Sequence, residues 1–67
     1  MHDTQRAFFR MSPGWEQTST YVFRKDGLIL RYDANLKTFT VHQCMNINEL
    51  TEGEAICRQL GKLAKQP

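Results

Sequence analysis

The chain has 67 residues, of which 40% are hydrophobic and 24% are charged, and its formal net charge is +2. We expect one small domain over residues 1–67, because so short a chain buries only about 60% of its unfolded surface and has no room for a second core. We expect its ends, residues 1–5 and 66–67, to be flexible. The composition excludes a fully disordered chain, and no apolar run is long enough to cross a membrane. So few residues rarely enclose an enzyme-sized pocket of about 300–1,000 Å³, so we expect no catalysis.

Neither a secretory leader nor a disulfide framework is visible in the sequence. Residues 1–14 lack the apolar core of a signal peptide. Cys44 and Cys57 are too few for a disulfide-stabilised secreted scaffold. These observations favour a cytoplasmic protein with reduced thiols.

Residues 6–11 are the first candidate element. They contain two adjacent phenylalanines, Phe8 and Phe9, and could form a fourth β-strand that the Ser-Pro-Gly turn at 12–14 ends. Adjacent residues on a strand face opposite sides, so only one of the two can join the core. We expect the other, Phe8, to contact a partner or a second surface.

Trp15 lies in a predicted loop over residues 12–18, and it has two interpretations. It could fold over the edge of the core, because a small core needs the area of a large aromatic side chain. Alternatively, it could anchor in a pocket of a partner, where tryptophan is a frequent energetic hot spot.

The clearest pattern is a β-hairpin. Residues 21–25 and 28–32 are rich in aromatic and β-branched residues, and Asp26-Gly27 between them is typical of a type I′ turn with positive φ at both positions. This turn fixes a register in which Phe23 pairs with Leu30. Alternation then gives the hairpin two faces. An aromatic face carries Tyr21, Phe23, Leu28, Leu30 and Tyr32, and the opposite face carries Val22, Arg24, Ile29 and Arg31.

A third strand follows a turn at residues 33–36. Residues 37–43 alternate almost perfectly between apolar and polar side chains, which is typical of a half-buried strand. Phe39 and Val41 extend the aromatic face, whereas Thr38, Thr40 and His42 extend the opposite one.

A helix is predicted from Thr51 onward. Thr51 and Glu54 have the spacing of a capping box, in which Thr51 is the N-cap and Glu54 reaches back to it. Ile56, Leu60 and Leu63 recur at helical spacing and form one apolar stripe. We expect this stripe to pack on the aromatic face of the sheet.

These elements predict an α+β fold, in which one C-terminal helix packs on one face of a three- to four-stranded antiparallel β-meander. The opposite face is left helix-free. It mixes apolar and basic side chains, and such a surface suits a protein partner. We therefore expect a small non-enzymatic binding module that acts as an adaptor, regulator or inhibitor. The candidate partner-binding residues are Val22, Arg24, Ile29, Arg31 and His42 on this face, together with Phe8 and Trp15.

The main alternative is a nucleic-acid-binding protein in which Arg24 and Arg31 reach phosphates or base edges. A homodimer through the helix-free face or through an open sheet edge is compatible with either function. We expect no membrane partner.

A zinc site or a catalytic thiol is a weaker hypothesis. His42, Cys44 and Cys57 carry suitable side chains, but the chain lacks the paired C-x-x-C spacing of structural zinc sites. A nucleophilic cysteine also needs a lowered pKa and an oxyanion hole, and no glycine-rich segment beside Cys44 would supply that hole. We therefore expect no metal and no cofactor.

Overall fold

The structure is a computed structural model that describes residues 1–65. It shows the predicted α+β fold, with four antiparallel strands in the order β1-β2-β3-β4 and a helix at each end. The expectation of a flexible end at 66–67 lies outside the described residues. The elements are α1 (Asp3–Met11), β1 (Glu16–Ser19), β2 (Val22–Lys25), β3 (Leu28–Asp33), β4 (Thr38–Gln43) and α2 (Ile47–Ala64).

The prediction of a strand at residues 6–11 is wrong, because this segment belongs to α1. Gln5 and Phe9, four residues apart, are the buried residues of this helix. The Gln5 side chain accepts a hydrogen bond from the His2 N–H at 3.0 Å and donates one to the Leu60 carbonyl at 2.9 Å. A contact with α2 therefore supports the helix and buries the Gln5 side chain.

The fourth strand is β1, which lies where a loop was predicted. Its four residues are all exposed, so its side chains show no apolar alternation. It forms through backbone pairing with β2, in which Gln17 lies opposite Phe23. A bulge interrupts the pairing between Gln17 and Ser19.

The hairpin register is confirmed, with Phe23 paired to Leu30, but the turn differs from the prediction. Only Asp26 has positive φ, at +54°, so the turn is not type I′. Gly27 is needed for space instead, because a Cβ at this position would overlap the Met45 side chain. The Gly27 N–H also donates a hydrogen bond to the Glu49 carboxylate at 3.3 Å. The hairpin turn is thereby held against the start of α2.

The turn before β4 is organised by Asp33. Its carboxylate accepts hydrogen bonds from the N–H groups of Asn35 and Leu36, at 2.8 and 3.0 Å. Lys37, which was predicted to begin the strand, lies in this turn with φ of +57°. Strand β4 begins at the next residue.

Helix α2 begins at Ile47, so the prediction of Thr51 as its N-cap is wrong. The N-cap is Asn46, whose side chain accepts a hydrogen bond from the Glu49 N–H at 2.9 Å. The Glu49 carboxylate in turn accepts a bond from the Met45 N–H at 2.7 Å. Thr51 lies inside the helix and donates its hydroxyl to the Ile47 carbonyl. The cap that forms is therefore Asn46 with Glu49, and not Thr51 with Glu54. Glu49 also holds the hairpin turn through Gly27.

Both helices pack on the aromatic face of the sheet. The ring of Phe9 in α1 stacks on Phe23, with centroids 3.9 Å apart. The predicted stripe of α2 is confirmed, since Leu60 is fully buried and Ile56 and Leu63 pack against the core. Tyr21 departs from the prediction, because it is 48% exposed and lies beside the core. The buried hydrophobic residues are Phe9, Phe23, Leu28, Leu30, Phe39 and Leu60.

Candidate protein-docking surfaces

The helix-free face is built from alternate residues of neighbouring strands. Val22 pairs with Arg31, and Arg31 pairs with Thr40 on β4. Two residues further along β2, Arg24 pairs with Ile29. Val22 and Ile29 are half-buried, whereas both arginines are exposed. The structure therefore brings together four of the predicted partner-binding residues, in the mixed apolar and basic arrangement that their alternation predicts.

The charge of this face is smaller than the sequence analysis implied. Glu16 on β1 lies directly opposite Arg24, and the two form an ion pair of 3.1 Å. Asp33 lies on the same face as Arg31, two residues further along β3. Two carboxylates therefore accompany two guanidinium groups. Glu16 escaped sequence reasoning because its segment was interpreted as a loop.

His42 lies at the margin of the helix-free face. The β3–β4 register shifts at this point, with Leu30 paired to Val41 and Ile29 paired to Gln43. His42 is the extra residue of this bulge and is exposed. It is therefore near the other face residues, but it does not belong to the regular pairing.

Phe8 lies on the other side of the molecule. In a helix, its side chain is turned by about 100° from that of its neighbour Phe9, which enters the core. Phe8 is half-buried, packs against the core and lines a groove of about 340 Å³ between the two helices, so the expectation that only one of the two phenylalanines joins the core is wrong. Met11 on the same groove is 84% exposed. The groove is lined by Thr4, Ala7, Phe8, Met11, Ser12, Gln59 and Leu63.

Trp15 lies at a third place, at the end of the core beside β1. Its ring packs edge-on against Phe9, with centroids 5.0 Å apart, and the Lys25 ammonium lies 5.9 Å from its centre. Lys25 also forms an ion pair with Glu52 of α2 at 3.2 Å. Trp15 thus covers the core edge while staying half-exposed. A role in partner binding stays a prediction for this residue.

Cys44 and Cys57 are both free thiols. Both are half-buried and pack against the core. Burial raises the pKa of the Cys57 thiol to about 11, with Glu54 adding to the shift and Arg58 opposing it. The thiol is therefore protonated at neutral pH, and a protonated thiol is a poor nucleophile and a poor metal ligand. Over the described residues, no three His, Cys, Asp or Glu side chains form a possible metal site.

One further surface was missed by the sequence analysis. The outer edge of β4 borders a groove of about 350 Å³ whose opposite wall is one flank of α2. Leu50, Glu54 and Cys57 lie on this one flank of α2, because residues spaced four and three apart are neighbours on a helix surface. No local pattern could indicate the groove, since it requires knowing which strand is outermost. Its lining residues are Phe39, Thr40, Val41, Leu50, Glu54 and Cys57.

No known protein family, curated protein or solved structure matches this chain. Neither of the helices in residues 1–65 combines the length and the apolar character that crossing a membrane requires. Functional inference therefore rests on the surfaces described above.

Proposed function

We propose that this protein is a small non-enzymatic binding module that docks on another protein through its helix-free sheet face. The supporting observation is that α1 and α2 both pack on the aromatic face, and that Val22 and Ile29 are not among the hydrophobic side chains that pack against that core. Half-buried aliphatic side chains flanked by arginines are the composition that protein interfaces favour.

The distribution of charge favours a protein over a nucleic acid. Arg24 is already paired with Glu16, and this carboxylate offsets the attraction of Arg24 for a phosphate. Arg31 is the arginine of this face that has no salt bridge within residues 1–65. Affinity for nucleic acids grows with the number of phosphates that are neutralised, and one available arginine supplies little. A protein surface that offers an apolar patch beside a carboxylate would match the face better.

The proposal is tested by photo-crosslinking inside cells. A photoreactive benzoylphenylalanine replaces Ile29 on the helix-free face or, as a control, Ala55, which is exposed on α2. A discrete cross-linked protein is expected at position 29 and not at position 55. Arg31→Glu in the same chain should abolish this product, because like charges facing a complementary patch are repelled. Arg58→Glu, the same charge change on exposed α2, should retain it. Equal products at both positions would contradict the proposal.

The nucleic-acid alternative has its own measurement. The affinity for random duplex and single-stranded DNA is measured across a salt series. A nucleic-acid-binding face would show tight binding at low salt and a steep decline in log affinity with log salt. We expect weak binding at every salt concentration, with no change in Arg31→Glu. A steep decline that this substitution makes shallower would favour the alternative.

A further inference from the structure

The two outer edges of the sheet differ in how well they are protected against pairing. Both edge strands contain a bulge, but β1 is in addition short and carries the charged residue Glu16. These are the features by which natural sheets block further strand addition. The edge strand β4 is longer, and it contains neither a charged residue nor a proline. Its regular part, residues 38–41, precedes the bulge. The β4 edge is therefore open to another strand.

The hydrogen-bonding direction of β4 follows from the hairpin. The Tyr32 N–H donates to the Tyr21 carbonyl at 2.8 Å, so Tyr32 faces β2. Backbone groups alternate along a strand in an antiparallel sheet. Arg31 therefore bonds with its β4 partner Thr40, and the groups of Phe39 and Val41 point away from the sheet. Those outward N–H and C=O groups are available to a partner strand.

We propose that two copies of this chain form a symmetric dimer in which their β4 strands pair antiparallel around a two-fold axis at Thr40. Phe39 then exchanges backbone hydrogen bonds with Val41 of the partner subunit, and Val41 does so with Phe39 of the partner subunit. The two four-stranded sheets become one continuous sheet. This inference does not depend on the proposed function, although it places both helix-free faces on the same side.

A second copy fits this edge because the strand is complementary to itself. Residues that lie opposite each other in an antiparallel pair must belong to the same face. The register around Thr40 satisfies this requirement, since Phe39 and Val41 both belong to the helix-covered face. It sets Phe39, whose side chain is already buried in its own core, against the half-buried Val41 of the other copy. No charges oppose each other in this register, because residues 38–43 carry none.

The groove beside β4 adds apolar surface to the same interface. Leu50 and Cys57 are half-buried on the flank of α2 that faces the groove, and Glu54, which lies between them, is exposed and adds one carboxylate from each copy. A two-fold axis perpendicular to the sheet brings this flank toward the equivalent flank of the second copy. Side-chain burial would therefore accompany the backbone pairing.

The first test measures the mass of the unmodified protein. Sedimentation equilibrium over concentrations from about 1 µM to about 1 mM should show a shift from the chain mass of 7.8 kDa toward twice that value. A monomer throughout this range would overturn the proposal, and would leave the β4 edge available to an extended peptide of another protein.

The second test measures the register by disulfide trapping in a background in which both cysteines are replaced by alanine. Thr40 would lie opposite Thr40 of the partner subunit in a non-hydrogen-bonded pair, at about 4.5 Å between Cα atoms. A disulfide spans about 4.4–6.8 Å between Cα atoms, so Thr40→Cys should form a covalent dimer with oxidised glutathione.

Thr38→Cys is the matched control, with the same residue type, strand and face. In this register the two Thr38 positions lie about 13 Å apart along the strands, so this variant should stay reduced under the same conditions. Circular dichroism confirms that both variants fold. Equal trapping of the two cysteines would overturn the proposed two-fold axis.

Discussion

The two faces of the sheet are made by the same strands, but only one of them is covered. On β3, Leu30 is fully buried beneath the helices, whereas the next residue, Arg31, is exposed. Most of the apolar burial that stabilises the fold is therefore concentrated on one face. The other face contributes little to stability, so its residues are free to serve recognition. Substitutions on the two faces should consequently differ in size and in what they affect.

The largest loss of stability is expected at Leu60, where α2 packs on the covered face of the sheet. Leu60→Ala should lower the free energy of unfolding by about 2–5 kcal/mol, because it leaves a cavity at a fully buried position. Urea denaturation measures the change. Leu36→Ala is the control, since Leu36 is 65% exposed in a turn and should change stability by no more than about 0.5 kcal/mol. Equal losses in both variants would show that α2 is not docked through Leu60.

A second comparison uses two glycines of the same helix. A Cβ at Gly53 would come within 2.8 Å of both Leu28 and Val41, whereas a Cβ at Gly61 would meet nothing within 4 Å. Gly53→Ala should therefore destabilise the fold by about 1–3 kcal/mol through overpacking. Gly61→Ala should stabilise it by up to about 1 kcal/mol, because alanine favours the helix. Thermal denaturation of both variants decides the matter, and a shift of the same sign in both would contradict this packing of α2.

The hairpin and the apolar stripe of α2 were predictable because each depends on a local pattern. Alternation along the strands separates Leu30 from Arg31 whatever lies above them, and helical spacing makes Leu60 part of a stripe in any environment. For the same reason, the residues that β2 and β3 contribute to the helix-free face were predictable. These features are set by geometry that repeats every two to four residues.

The parts that could not be predicted depend on contacts between distant segments. Helix α1 has nine residues, fewer than the roughly 12–15 that an isolated helix needs. It is held by Phe9 against Phe23 and by Gln5 against Leu60, which lies 55 residues away in the chain. Strand β1 has four exposed residues and so carries no burial pattern. Glu16 was therefore missed, and with it the ion pair that neutralises Arg24.

A smaller loss of stability is expected at the start of α2, where it distinguishes Asn46 from Thr51 as the N-cap. Asn46→Ala should cost about 1 kcal/mol, since Asn46 accepts the hydrogen bond of the N-cap. Thr51→Ala should cost less, because Thr51 lies inside the helix, where alanine has the higher propensity. Denaturation midpoints of the two variants measure the difference. A larger loss in Thr51→Ala would move the start of the covering helix to Thr51.

The smallest effect on stability is expected on the helix-free face. Arg31→Ala should change the free energy of unfolding by no more than about 0.5 kcal/mol, because Arg31 is exposed and makes no salt bridge within residues 1–65. Its neighbour Leu30 provides the counterpart, since Leu30→Ala removes a fully buried side chain and should cost about 2–5 kcal/mol. Both are measured by urea denaturation. If Arg31→Ala were as destabilising as Leu30→Ala, the helix-free face would be part of the folded core, and its proposed role in docking would fail.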